Sequence, residues 1–387
     1  MSATQPELTT KRIESLDLLR GFIMVLMVLD HTRHFFFTSD IFPFEPEDIT
    51  HTFPTLFFTR WITHLCAPGF ALFAGMSISM MLRKMKDKKE LSMYLLTRGI
   101  FLVLLEVTII RFAWYFKIDY SSIGGLVIWA LGWCMIFMSA LMHLRVRYLF
   151  PMGLLIVAGH NLLDFVTPAN GTIGDLIWSF LHVHKSVPLT ENFSVNILYP
   201  VLPMLGVVLL GFTLGDFYKR RDPSNRFKDL LEIGMFSFSL FIIVRGINLY
   251  GDLQPWIRYE DPIAMLMSFL NCTKYPFSLS YILMTCSLLL VLLGAAEMLQ
   301  TKKFKLLTTF GKEPLFFYIL HLFVVHVLAL VFIQVKSYIP IFESNNIELN
   351  LAVVYVVWIG VVFLLYPVTL KWMNWKKDRP GFFWKLF

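Results

Sequence analysis

Charged residues are scarce in this chain. They make up 16% of its 387 residues, whereas hydrophobic residues make up 57%. With a mean hydropathy of +0.64, this composition lies outside the range of soluble globular domains.

Cysteine is scarce as well. The four cysteines show no paired metal-ligand spacing, so we expect neither a disulfide framework nor a metal site. They are Cys66, Cys134, Cys272 and Cys286.

Other features are missing too. No basic tract interleaved with aromatic residues indicates a nucleic-acid partner, and no linker, repeat or low-complexity segment divides the chain. Beyond a polar cytoplasmic tail at residues 1–12, we predict one integral-membrane domain over residues 13–387. The first apolar stretch is longer than the core of a signal peptide and contains charges. We therefore expect it to be retained as a signal-anchor helix.

Long apolar segments dominate what is present. Most reach the ~20 residues that a membrane-spanning helix requires. The fifth is the least regular, because Pro151, His160, Asn161 and Asp164 interrupt it. We predict an all-α polytopic bundle of about ten spans in a lipid bilayer. The spans are 16–38, 55–82, 93–116, 124–143, 148–167, 197–217, 230–250, 277–298, 314–335 and 349–372.

Lysine and arginine concentrate in alternate connections between these spans. Cytoplasmic connections of membrane proteins carry such an excess, and an even number of spans places both termini on one side. We therefore predict that both termini are cytoplasmic. The basic connections hold Lys11 and Arg12; Arg83, Lys84, Lys86, Lys88 and Lys89; Arg145 and Arg147; Lys219, Arg220, Arg221, Arg226 and Lys228; Lys302, Lys303 and Lys305; and Lys376, Lys377, Arg379 and Lys385.

The first span carries an unusual polar stripe. Arg20 and His31 are eleven residues apart, which is three helical turns, so they share one face with ~16 Å of rise between them. Asp17 lies one turn before Arg20 on the same stripe. Ionisable groups at membrane depth mark a transport pathway or a reaction site. This stripe is the first candidate for function.

Further polar residues interrupt other spans. Some of them have an alternative structural interpretation: Glu106 could form an ion pair with a neighbouring arginine, and Arg98 could extend its head group towards the membrane surface. His326 is better explained by packing, and His160 with Asp164 by a structural hydrogen bond. The remaining candidates are Arg60 and His64, four residues apart in the second span, and His321 in the ninth.

The stripe suits a transfer reaction. A histidine can act as a general base towards a hydroxyl or amine, or as a nucleophile that holds a group. An arginine three turns away suits a phosphate. Coenzyme A combines an anionic head, a thin arm and a terminal thioester. The alternative is a transporter, which predicts two similar halves, but the first half carries most of the buried charge and the second half shows no matching motif. A non-catalytic scaffold would leave Arg20, His31 and Glu106 unexplained.

Two sequence segments carry a family resemblance, SLDLLRGFIMVLMVLDHTR and FFTRWITHLCAPGFALFAG, and it continues in FGKEPLFFYILHLFVVHVLAL. They resemble bacterial membrane proteins with a heparan-alpha-glucosaminide N-acetyltransferase catalytic domain. Arg20 and His31 also resemble the first-helix motif of acyltransferase family 3.

The resemblance implies a transmembrane acyltransferase of the bacterial inner membrane. It would move an acyl group such as acetyl from cytoplasmic acyl-CoA to an extracytoplasmic acceptor, by preference a sugar hydroxyl or amine. A homodimer remains open. The resemblance implies a catalytic role for His31 and a donor-side role for Arg20. To the catalytic set we add His64 and Glu106 as partners that would orient His31, and to the donor site Arg98 and Asp17. The candidates for the acceptor site are Arg60, Asn248, Asp252, Trp256, Asn271, Lys274, Tyr275 and His321.

Overall fold

The computed structural model describes residues 13–36, 44–85, 87–336, 347–379, 381, 384, 386 and 387. The predicted tail at 1–12 lies outside them. Most of the described chain is helical. The helices are α1 (Glu14–Phe36), α2 (Pro54–Ile62), α3 (Cys66–Lys84), α4 (Lys88–Leu105), α5 (Arg111–Tyr115), α6 (Val127–Leu141), α7 (Val146–Gly159), α8 (Ile173–Leu181), α9 (Val201–Arg220), α10 (Pro223–Ile247), α11 (Pro262–Leu270), α12 (Leu279–Met298), α13 (Lys305–Lys312), α14 (Pro314–Lys336) and α15 (Ile347–Lys377).

Eight helical segments of the described chain are long and apolar enough to cross a membrane. They account for eight of the ten predicted spans, and the other two correspond to α1 and α6. At 23 residues α1 is long enough, but it carries Asp17, Arg20, Asp30 and Arg33. At 15 residues α6 is shorter than a regular span. The predicted class, an all-α polytopic bundle, is confirmed.

A small sheet was not predicted. Strand β1 (Ser122–Gly125) pairs in parallel with β3 (Phe193–Ile197), which pairs antiparallel with β2 (Lys185–Thr190). The fourth span was therefore wrong at its start, because residues 124 and 125 belong to β1. Both are glycines, which disfavour a helix. The alternation of apolar and polar residues in β3 is typical of a strand.

Helix α1 lies inside the bundle. It contacts α3, α12, α13, α14 and α15, so its charged residues face protein rather than lipid. Its closest neighbour is α13, and two glycines make this approach possible. A Cβ on Gly21 would lie 1.8 Å from the carbonyl oxygen of Leu307, and a Cβ on Gly311 would lie 1.8 Å from the carbonyl oxygen of Asp17. Small residues allow such backbone contact between membrane helices.

We predict that Gly21→Ala destabilises the protein, because α13 must move away from α1 to admit the methyl group. Overpacking of this kind costs about 1–3 kcal/mol. Thermal unfolding in detergent measures the effect. Gly246→Ala is the control, since a Cβ there meets nothing within 4 Å. Equal unfolding temperatures for the two variants would contradict the close packing of α1 on α13.

Candidate active site

One end of the bundle contains a cavity of about 900 Å³. The beginning of α1 and the ends of α9 and α15 surround it, and two of the predicted basic connections contribute Lys219, Arg226 and Lys376 to its lining. Its lining includes six lysines and arginines and three acidic residues. The basic residues are Arg20, Arg98, Lys219, Arg226, Lys312 and Lys376; the acidic ones are Glu14, Asp17 and Glu297. The cavity is therefore net positive.

The three predicted donor-site residues all line this cavity. Arg20 donates to Asp17 Oδ1 at 3.3 Å and to the Phe73 carbonyl at 3.3 Å, and it also bonds the Ser77 hydroxyl. Arg98 donates to the Tyr94 hydroxyl at 2.7 Å. The structure thus brings Arg20, Arg98 and Asp17 to one place, as the sequence pattern suggested. Their role towards a donor stays a prediction.

The cavity extends to Tyr318 on α14, and Tyr318 contacts His31. The two rings meet edge to face with centroids 6.0 Å apart. On its other side His31 stacks against His321, with centroids 4.9 Å apart and planes within 10°. Trp114 of α5 packs its edge against His31 at 4.9 Å. His31 therefore lies just beyond the end of the cavity, held between aromatic rings from α5 and α14.

Hydrogen bonds define the protonation pattern of this histidine pair. Nδ1 of His321 lies 3.0 Å from the Phe317 carbonyl, and a carbonyl only accepts, so this nitrogen carries the proton. In the neutral ring Nε2 of His321 is then an acceptor. It lies 2.7 Å from Nδ1 of His31, which must donate. This leaves Nε2 of His31 with a lone pair, as a general base requires.

A second group of polar residues, the charged cluster, lies on another face of α1. It consists of Asp30, Arg33, Glu47, Arg60 and Lys274. Arg60 donates to both oxygens of Asp30 at 2.7 and 2.9 Å and to Glu47 at 2.7 Å. Arg33 lies 3.4 Å and Lys274 3.9 Å from Asp30. The carboxylate next to His31 in the sequence thus joins α1 to α2 and to the loop before α12.

Sequence reasoning missed both carboxylates of the charged cluster. Asp30 carried a usable signal, because it is a carboxylate inside an apolar helix. Glu47 lies in a polar connection and gave none. In the structure, burial would raise the pKa of Glu47, but Arg60, together with His64 and Arg33, holds this pKa well below its ordinary value. Glu47 is therefore an anion that Arg60 compensates.

The second span is not the single regular helix that the sequence suggested. A 3₁₀ turn, Thr63–Leu65, separates α2 from α3. Pro68 has no N–H to bond the His64 carbonyl four residues earlier, and the Tyr281 hydroxyl donates to that carbonyl at 2.8 Å. The His64 ring is buried, and neither ring nitrogen has a hydrogen-bond partner among the described residues. Its Nε2 lies 3.9 Å from Glu47.

Glu106 occupies a π-helical turn, Glu106–Ile110. The alternative ion pair with a neighbouring arginine is wrong, because no such pair appears in the described chain. Glu106 instead accepts the backbone N–H of Trp129 at 3.1 Å, where α6 begins. Its buried side chain thus caps a helix. Neither Glu106 nor His64 hydrogen-bonds His31, so their catalytic roles stay predictions without a direct contact.

Of the eight predicted acceptor residues, Arg60 lies in the charged cluster and His321 contacts His31. The other six separate into two groups. Asn248 and Trp256 hydrogen-bond each other at 2.9 and 3.0 Å, and Asp252 accepts from Ser278 at 2.7 Å. These contacts hold the loop between α10 and α12, which is a structural role. Lys274 and Tyr275 instead belong to or adjoin the charged cluster, and Asn271 donates to the Glu47 carbonyl at 2.8 Å.

Two other histidines make structural contacts. His326 lies 2.8 Å from the Ala113 carbonyl and stacks on Phe116 with centroids 4.0 Å apart. His160 lies 2.7 Å from the Phe277 carbonyl. The contacts of His326 agree with the packing interpretation. The predicted partner of His160 was wrong, because Asp164 instead lies 2.8 Å from Nε2 of His182, whereas His160 bonds a backbone carbonyl.

Residues 12–246, more than half of the chain, match the family described as heparan-alpha-glucosaminide N-acetyltransferase, catalytic. The chain belongs to this family. The resemblance seen in the sequence is confirmed, and membership indicates an acetyltransferase that is integral to a membrane. No curated protein matches the chain.

We predict that Tyr281→Phe destabilises the protein, because the buried His64 carbonyl loses its donor. An unsatisfied buried group costs about 1–3 kcal/mol. Thermal unfolding in detergent measures the loss. Tyr259→Phe is the control, since no hydrogen bond of the Tyr259 hydroxyl appears among the described residues. An unchanged stability of Tyr281→Phe would show that another group satisfies this carbonyl.

Proposed function

We propose that the protein transfers an acyl group, acetyl by preference, from acyl-CoA to a hydroxyl or amine of an acceptor, with His31 as general base. The observation that carries this proposal is the positive cavity that ends at Tyr318, against the ring of His31. It joins a site for phosphates to a reactive histidine. A transporter gives no reason for a histidine pair at the end of a basic cavity.

The residues present fit such a donor. The cavity volume is within the usual range for small-molecule sites, roughly 300–1,000 Å³. Arg20, Arg98, Lys312 and Lys376 would hold the phosphates, since guanidinium and ammonium groups bind such oxygens. The ~16 Å of α1 between Arg20 and His31 leaves room for an extended arm. Tyr318 would line the path of that arm next to His31.

The chemistry uses the histidine pair. Nε2 of His31 takes the proton from the acceptor hydroxyl or amine as its oxygen or nitrogen bonds to the acyl carbon. The donor supplies a thioester, whose carbon–sulfur bond breaks. His31 then returns the proton to the sulfur, so that no net charge remains on the pair. His321 orients His31 through the 2.7 Å contact and shares the transient positive charge.

The proposed orientation follows from the distribution of charge. The basic cavity mouth faces the cytoplasm, because lysine and arginine are enriched there, and acyl-CoA enters from that side. The charged cluster faces the opposite side of the membrane, where an acceptor such as a sugar would bind. The proposed location is the bacterial inner membrane. A relation to acyltransferase family 3 and a homodimer both stay proposals.

We predict that His31→Ala lowers the rate of CoA release by about 10²–10⁴-fold, the usual contribution of a general base, while acetyl-CoA still binds. His321→Phe should keep the packing but lose the acceptor for His31 Nδ1, so its rate should also fall while binding remains. Calorimetry measures binding and thiol detection measures release. Lack of acetyl-CoA binding by folded wild-type protein would exclude the transferase.

The chemical order of steps can be tested on the same preparation. Brief incubation with radiolabelled acetyl-CoA and no acceptor leaves the protein unlabelled when transfer is direct. Label that depends on His31 would show that this residue is a nucleophile instead of a base.

We predict that Arg20→Ala weakens acetyl-CoA binding roughly ten- to a hundredfold, because a charge-assisted hydrogen bond contributes about 1.5–3 kcal/mol. Lys89→Ala is the control: Lys89 is an exposed basic residue near the start of α4 and does not line the cavity. Equal affinities of both variants, in protein with unchanged thermal stability, would remove Arg20 from the donor site.

A further inference from the structure

The charged cluster is not electrically balanced. It contains three cations, Arg33, Arg60 and Lys274, and two carboxylates, Asp30 and Glu47. Among the described residues no further carboxylate pairs with these cations. Each cationic side chain is at most 9% exposed. A buried charge without a counter-charge is costly, so one negative charge is needed here.

The hydrogen-bond donors of the cluster are also in excess. Arg60 is well satisfied, but Lys274 makes no hydrogen bond in the described chain. It has only a 3.9 Å ionic contact with Asp30 and a contact with the Tyr275 ring. Among the described residues Nε of Arg33 is buried without a hydrogen-bond partner, and so are both ring nitrogens of His64, whose Nε2 has only the 3.9 Å contact with Glu47. Buried polar groups are normally satisfied. Three side chains from separate elements therefore offer donors that no acceptor in the described part of the chain uses.

The excess of positive charge also acts on the phenol of Tyr275, which is next to Lys274 in the sequence. Burial would raise the pKa of Tyr275, but the charges of Lys274 and Arg60 bring it below its ordinary value. The field at this loop is therefore positive. Helix α1 connects this loop to the reactive histidine, because Lys274 lies 3.9 Å from Asp30, the residue that directly precedes His31 in α1.

We propose that the charged cluster binds an anionic group, a carboxylate or a phosphate, on the acceptor. This inference rests on the proposed function and narrows it to acidic acceptors. Lys274, Arg33 and His64 would supply the contacts. Binding there would place a neighbouring hydroxyl or amine of the same molecule next to Nε2 of His31.

The test measures binding to the full-length protein in detergent by calorimetry. CoA is added first to saturation, so that anions cannot enter the basic cavity. Glucuronate, glucose 6-phosphate and glucose are then titrated separately. We expect at least one charged sugar to bind at least about tenfold more tightly than glucose, as for one charge-assisted contact. Tighter binding of glucuronate indicates a carboxylate site, and tighter binding of glucose 6-phosphate indicates a phosphate site.

Variants of Lys274 complete the test. Lys274→Gln should abolish the preference for the charged sugar, whereas Lys274→Arg should keep it. Lys185→Gln is the matched control, because Lys185 is a lysine paired with Asp175 at 2.9 Å outside the cluster. Retained CoA binding shows that each variant is folded. No preference in wild-type protein, or a preference that survives in Lys274→Gln, overturns the inference. Absence of CoA binding in wild type instead refutes the proposed donor.

Discussion

The structure depends on the cost of placing charge inside a membrane. Helix α1 carries Asp17, Arg20, Asp30, His31 and Arg33, and none of these can face lipid cheaply. Burial at the centre of the bundle resolves this, because each surrounding element supplies a partner: α3 for Arg20, α2 for Asp30 and α14 for His31. The contact of α1 with α13, where only glycine fits on both sides, follows from the same central position.

Because one helix carries all of these groups, it also fixes the distances between them. Arg20 faces the basic cavity, His31 lies beyond the end of that cavity, and Asp30 turns towards the charged cluster one residue earlier. A rigid helix keeps the distances between these side chains fixed, and no other structural element is needed for this. Preorganised geometry of this kind lowers the cost of orienting two reactants. A donor from one side and an acceptor from the other would meet at the histidine that separates the two sites.

Features set within a helix could be predicted from sequence, and features set between distant segments could not. The spacing of Arg20 and His31 gave the stripe because 3.6 residues per turn is a local rule. The partner of His31 is His321, 290 residues away, and the sequence suggested an acceptor role for it. Pro68 is visible in the sequence, but the hydroxyl that compensates for it belongs to Tyr281. Gly124 and Gly125 indicate that α6 begins after them, but the apolar run that follows led to a predicted span from residue 124.

The hydrogen-bond partner of His31 is a neutral side chain, His321. A carboxylate in place of His321 would stabilise the imidazolium, but it would be one more buried charge. With a neutral imidazole partner, His31 keeps a lone pair on Nε2, and no further charge is buried beside the charged cluster. The proton that His31 would take from the acceptor passes on to the leaving sulfur, so the pair returns to its neutral state after each transfer and needs no buried counter-charge of its own.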